Sequence, residues 1–154
     1  MEGPIHTTTA EALAARVGSE IGVSDWFTLD QSTIEAFGHL TQDTYFIHMD
    51  PVRARETAFG GAIAHGFLTL SLMSCMAYQV CPFVEGTRNG VNYGFDRLRF
   101  VAPVPSGGRV RGRFALKRFE RKPDRWQATW DVTVEVEGGA RPAIVADWIT
   151  AGLF

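Results

Sequence analysis

Asp43 and His48 are the two side chains of this chain whose types and spacing suggest proton chemistry. They stand five apart in GHLTQDTYFIHMDP, residues 38–51, a stretch that is otherwise mostly apolar around them. A carboxylate and an imidazole converging on one water can take a proton from it and deliver one elsewhere. Regular structure would keep them apart. Five residues set two side chains about 140° apart around an α-helix, and an odd spacing puts them on opposite faces of a strand. Either the stretch is a turn or irregular loop and the pair acts together, or it is regular and the pairing is coincidence. Taken singly, Asp43 also reads as a turn carboxylate and His48 as a hydrogen-bonded loop histidine.

The flanking elements must position such a pair. Thr8 and Glu11 have capping-box spacing ahead of a helix AEALAARVG that ends near Gly18. IGVSDWFTLD, 21–30, reads as a strand. Ser32 and Glu35 form a second capping box, opening a short helix through Phe37 and His39. Asp50 and Pro51 suit the N-cap and first position of a helix over 51–59, which Gly60 and Gly61 end. Residues 62–81 carry no charge and are long enough to span a membrane. His65, Thr69, Ser71, Ser74 and Gln79 interrupt the run and no basic flank adjoins it, so a buried helix is expected instead. Four strand patterns follow, over 91–101, 109–120, 125–137 and 141–154, with Pro- and Gly-rich turns between them. Successive strands without intervening helices predict an antiparallel meander. The fold class is therefore α+β: one domain over 1–154, with an N-terminal helical segment over 1–19 and a sheet wrapped around a long central apolar helix.

Composition bounds the function. A net charge of −2 over 154 residues argues against a nucleic-acid surface. The start Met1-Glu2-Gly3 lacks a basic and then apolar leader. Cys75 and Cys81 lie six apart in an apolar run and read as buried free thiols, which together with the start predicts a cytoplasmic protein. His48 and Asp50 could offer two legs of a metal site, but nothing suggests a third, so no metal is expected.

Asp43, His48, the pair His65-Gly66 at the head of the apolar helix and Ser74 together resemble the MaoC-like, (R)-specific enoyl-CoA hydratase family of the hotdog fold. So do Arg97 to Phe100 followed by Pro103, Val104 and Gly107. The resemblance covers roughly residues 20–150. It departs from the family pattern at Tyr45 and Phe46, where Asn and Pro are expected, and at Gln42, where a Gly often precedes the Asp. Those departures are similar to the nodulation-protein-N-like branch, in which an aromatic precedes Ile-His and IAHGFLTLSL and VNYG recur.

The resemblance implies reversible addition of water to a trans-2-enoyl thioester, with Asp43 and His48 as the catalytic pair. It implies an acyl-CoA substrate, no cofactor and a homodimer; a small sheet also leaves edges to be paired or covered. A thioester carbonyl gains negative charge in that reaction. Gly66, in the first turn of the helix, would offer a free backbone N–H to it, although tight packing is another reason for a glycine there. By resemblance Ser74 hydrogen-bonds and orients Asp43. Asn92 and Tyr93 are candidates to line the pocket, though Tyr93 also reads as core. Arg53, Arg55, Arg97 and Arg99 are candidates for coenzyme A phosphates, and each singly also reads as a surface arginine. His65 reads as structural. A hotdog thioesterase is one alternative, but no Asp or Glu occurs from Thr57 through Val84 to serve it. A non-catalytic acyl-thioester-binding module is the other, and it leaves Asp43 and His48 without a purpose.

Overall fold

The computed structural model describes residues 6–154. Residues 1–5, where the beginning of the expected N-terminal segment and the Met1-Glu2-Gly3 start fall, lie outside the described residues. In chain order the elements are β1 (Thr7–Thr8), α1 (Ala10–Ala14), β2 (Glu20–Val23), β3 (Phe27–Leu29), α2 (Gln31–Thr41), α3 (Phe46–Met49) and α4 (Pro51–Ala54), then α5 (Gly66–Ser71), α6 (Met73–Val80), β4 (Phe83–Val84), β5 (Asn89–Phe100), β6 (Gly108–Arg121), β7 (Arg125–Val136) and β8 (Ile144–Leu153).

Six of the strands form one antiparallel sheet in the order β2-β6-β7-β8-β5, with β3 also paired to β6. Alternate residues of its strands turn toward the α5–α6 helix. Val110, Phe114 and Leu116 of β6, Trp130, Val132 and Val134 of β7, and Ile144, Ala146 and Trp148 of β8 are buried there with Leu68, Met73, Met76 and Ala77 of the helix. Burial of that apolar surface is what holds helix to sheet. The arrangement is the α+β architecture expected, a sheet curled about one central helix.

Several boundaries differ from the sequence reading, and each difference follows from where backbone N–H groups find partners. The central helix begins at Gly66 rather than Ala62. Residues 62–64 instead pair with the segment after β5: Ala64 N–H donates to Val104 O at 2.8 Å, Ser106 N–H donates to Ala62 O at 2.8 Å, and Ile63 bridges Pro105. That same segment carries β5 past its expected neighbour. β6, β7 and β8 form a meander, but β5 lies beyond β8 at the sheet edge. The helix is also not buried all round, since Phe67 and Tyr78 are exposed.

The expected strand over 21–30 is two strands, because at Asp25 the N–H leaves the ladder for the Gln79 side chain, 2.8 Å away on α6. α1 is capped by Thr9, whose hydroxyl accepts from Ala12 N–H at 3.1 Å, not by Thr8, which lies in β1 beside β4. It ends at Ala14, short of Gly18.

Two caps frame the segment of interest. Asp30, not Ser32, caps α2: its carboxylate accepts from Thr33 N–H and from the Ser32 hydroxyl, each at 2.8 Å. The Thr33 N–H, followed by the Thr33 and then the Ser32 side chain, holds the Asp30 carboxyl below its ordinary range. α2 runs on to Thr41 and stops where Gln42 turns left-handed at φ 62°. Asp50 caps α4 as the sequence suggests, accepting from Val52 and Arg53 N–H at 3.1 and 3.0 Å. That helix is one turn, ending at Ala54 rather than Phe59.

Cys75 and Cys81 are free and half-buried. Desolvation raises both thiols, that of Cys81 to about 12, so neither is a thiolate at neutral pH. Among the described residues no helix is long and apolar enough to cross a membrane.

Candidate active site

The site is built where three backbone segments meet. Asp43 follows the left-handed turn at Gln42, in the short connection between α2 and α3. His48 lies on the single turn of α3. His65 and Gly66 form the N-terminal end of α5. Between Asp43 and His48 the chain passes from a short loop into a single helical turn, and this mixture lets two side chains five apart converge.

Convergence is close. The Asp43 carboxylate, a ring nitrogen of His48 and a ring nitrogen of His65 lie within 4.8 Å of one another. Two groups at that separation can hold one water between them by two ordinary hydrogen bonds. Asp43 is exposed, His48 half-buried and His65 buried.

The main chain fixes the tautomer of both rings. His48 Nδ1 lies 2.7 Å from Ile63 O. A carbonyl only accepts, so Nδ1 carries the proton and Nε2 is the nitrogen left to exchange one. His65 Nε2 lies 2.9 Å from the Asp43 carbonyl and is a donor by the same argument. The His65 Nδ1 is buried without a partner. The two imidazoles stack with centroids 3.9 Å apart, and Phe37 packs against His65 at 5.1 Å.

His48 is anchored twice more through its turn. Gln31 Nε2 donates to His48 O at 2.8 Å, and Ile63 N–H donates to Ile47 O at 3.0 Å. Gly38, on the face of α2 beneath, is needed for this packing. A Cβ there would stand 2.6 Å from Met49 Sδ and 3.0 Å from the Asp43 carbonyl.

His48 and Gly66 line one cavity of about 280 Å³, together with Ile63, Thr69, Phe100 and the crossing segment from Val101 to Val104. Gly66 is the first residue of α5, so its N–H has no partner within the helix. A Cβ on Gly66 would meet the Phe100 ring at 3.0 Å. Glycine here therefore serves close packing as well as access to the amide.

Comparison with known proteins shows the family of the chain. The family described as MaoC like domain matches residues 4–138. The chain belongs to the MaoC-like dehydratase family. It is 47% identical over 148 residues to nodulation protein N of Rhizobium leguminosarum bv. viciae, covering 95% of this chain and 92% of that protein. It is 45% identical over 138 residues to 3-hydroxyacyl-thioester dehydratase Z of Mycobacterium tuberculosis (strain ATCC 25618 / H37Rv), covering 89% and 91%. The solved structure of the (R)-hydratase from A. caviae involved in PHA biosynthesis matches with a TM-score of 0.66 at 26% identity, over 84% of this chain and 95% of that one. The MaoC-like relationship carries the hotdog fold with it.

The remaining candidates of this MaoC-like chain fall elsewhere. Ser74 does not reach Asp43 among the described residues. Its Oγ takes a hydrogen bond from Asn92 Nδ2 at 3.4 Å, and it stands two turns along the helix from Gly66, about 12 Å away. Ser74 and Asn92 line a second cavity of about 490 Å³, walled by Trp126, Trp130 and Trp148. Tyr93 is not core. It is 68% exposed on the edge strand and lines neither cavity. Arg53 lies over the Phe46 ring at 4.4 Å, and Arg55, Arg97 and Arg99 are exposed.

Asp50 is spent on capping α4. The third leg of a metal site that the sequence did not suggest is His65: one ligand atom each of Asp43, His48 and His65 lie within 4.8 Å of one another, and each imidazole holds a carbonyl with its other ring nitrogen, as ligating histidines do. The sequence reading sets His65 aside as structural; its only signal in the sequence is its place immediately before Gly66.

Proposed function

We propose that the chain is an (R)-specific enoyl-CoA hydratase/dehydratase, a hydro-lyase that reversibly adds water to trans-2-enoyl thioesters, acting as a homodimer and without a cofactor. The observation that carries the reading is the tautomer of His48. With Nδ1–H bound to Ile63 O, Nε2 is left as the exchanging nitrogen of a ring that stands beside the Asp43 carboxylate, where one water can serve both. In the proposed step that water gives a proton to the pair as its oxygen bonds to Cβ of the enoyl group. The double-bond electrons move toward the thioester carbonyl, whose oxygen gains negative charge at the Gly66 N–H. The pair then returns a proton to Cα, so one molecule of water is added across the double bond. The names of two relatives support the reaction class: the dehydratase Z above, and the (R)-specific enoyl-CoA hydratase of Aeromonas caviae, 30% identical over 129 residues.

Incubation with crotonyl-CoA tests this directly. Loss of enoyl absorbance with formation of (R)-3-hydroxybutyryl-CoA is expected, with no release of free thiol. Thiol release without hydration would instead indicate a thioesterase, and neither change would indicate a binding module.

A further inference from the structure

We propose that His65 is the positioning residue of the site, holding the Asp43 main chain so that its carboxylate stands over the water shared with His48. This rests on the reaction proposed above. Asp43 is exposed, and its side chain has no hydrogen-bond partner among the described residues beyond the site itself. Its place is therefore set by its own peptide. The Asp43 carbonyl receives one side-chain bond, from His65 Nε2–H at 2.9 Å, across 22 residues of sequence.

His65 is itself held firmly. It is 2% exposed, stacked on His48 on one side and packed by Phe37 on another. Its carbonyl accepts from Thr69 N–H at 3.2 Å, which starts the helix that presents Gly66. One residue thus touches all three parts of the site: the Asp43 peptide by a hydrogen bond, the His48 ring by stacking, and Gly66 by the chain. Mere packing does not explain an imidazole here. Its Nδ1 is buried without a partner, which costs stability that an apolar side chain would avoid. What the imidazole adds is the bond to the Asp43 carbonyl. Reacting groups lose rate steeply when displaced by an ångström, so that bond acts on turnover.

The pair His65→Gln and His65→Asn tests this. Glutamine carries its amide nitrogen about as far out as Nε2, whereas asparagine reaches only about as far as Nδ1. Both are assayed with a short enoyl-CoA, with melting temperature measured alongside. His65→Gln is expected within about threefold of wild-type kcat. His65→Asn is expected at least about tenfold lower in kcat, with KM within about twofold, because misplacement affects the reacting geometry. Equal kcat in the two variants, or a loss confined to KM, would overturn the proposal. Should His65→Asn not fold, His65→Leu removes the donor while keeping the packing, and the same loss is expected. The backbone amide NMR shift of Thr44, which shares its peptide with the Asp43 carbonyl, reads the positioning without any activity. It should move in His65→Asn and stay near wild type in His65→Gln. An equal shift in all three proteins would overturn the proposal even if the chain proved not to be a hydratase.

Discussion

His48 has one nitrogen with which to work, and this yields a sharper test than deletion. Asparagine at this position can offer its amide N–H to Ile63 O in place of Nδ1, yet has nothing where Nε2 stood. His48→Asn should therefore melt near wild type and lose on the order of 10²-fold or more in kcat. Asp43→Asn keeps shape at an exposed position, so it too should leave the melting temperature unmoved and lose on the order of 10²-fold. The double variant should be little worse than either, since groups acting on one water are not additive. Folded single variants that keep more than about a tenth of wild-type kcat would contradict the proton-transfer role. Gly66 needs a paired design, because a Cβ both crowds the amide and meets Phe100 at 3.0 Å. Gly66→Ala should lower kcat in the wild-type background and equally in a Phe100→Ala background, where the ring is gone. Recovery in the second background would assign glycine to packing alone. Asp43 and His48 could be found in the sequence because two chemical side chains share a short interval. His65 could not, because its partner is a main-chain carbonyl far along the chain, and residue types carry no mark of such a bond.

Gln42 closes α2 in a conformation that side chains with a Cβ rarely adopt, φ 62°, directly before Asp43. The frequent Gly at this place in the resemblance has its physical reason here, since glycine enters the left-handed region without strain. Gln42→Gly should raise stability by about 1 kcal/mol, a rise of roughly 2–4 °C in Tm for a chain of this size. It should leave kcat within about twofold if the His65 bond rather than the turn residue holds the Asp43 peptide. A fall in Tm would show that the Gln42 side chain contributes more than its backbone strain costs. Elements were legible wherever periodicity and caps decide them, as in β6, β7, β8 and the Asp50 cap of α4. They were misread wherever a distant partner takes a backbone group. Residues 62–64 have a helical composition but spend backbone groups on Val104, Ser106, Ile47 and the His48 ring, and the break after Val23 belongs to Gln79. Hydrophobic pattern reports which residues are buried, not where their peptides bond.

At the scale of the molecule, the surface still to be accounted for is β5. The alternation in its sequence shows a strand but not its place, and only the crossing segment 101–107 sets it outside β8. That leaves a twelve-residue edge strand, exposed along most of its length. Val91, Tyr93 and Phe95 are exposed toward its start, and Phe67 and Tyr78 are exposed on the neighbouring helix. A long edge with apolar side chains invites association unless it is blunted. Register shifts occur in both parts, between Asn92 and Gly94 and between Phe95 and Arg97, but only the later part carries charges, Asp96, Arg97 and Arg99, which blunt an edge against pairing. The apolar part is therefore the part that a second copy would cover in the proposed homodimer. A stable contact of standard size buries about 800 Å² on each partner, and a charge set into its apolar centre without a counterion is costly. Tyr93→Glu changes a side chain that is 68% exposed, so the folded protomer should tolerate it. Light scattering at micromolar concentration should give a dimer for the wild type and for Arg99→Ala, and a monomer with unchanged circular dichroism for Tyr93→Glu. A monomeric wild type would sink the homodimer outright. A dimer that Tyr93→Glu leaves intact would move the contact away from the apolar part of β5.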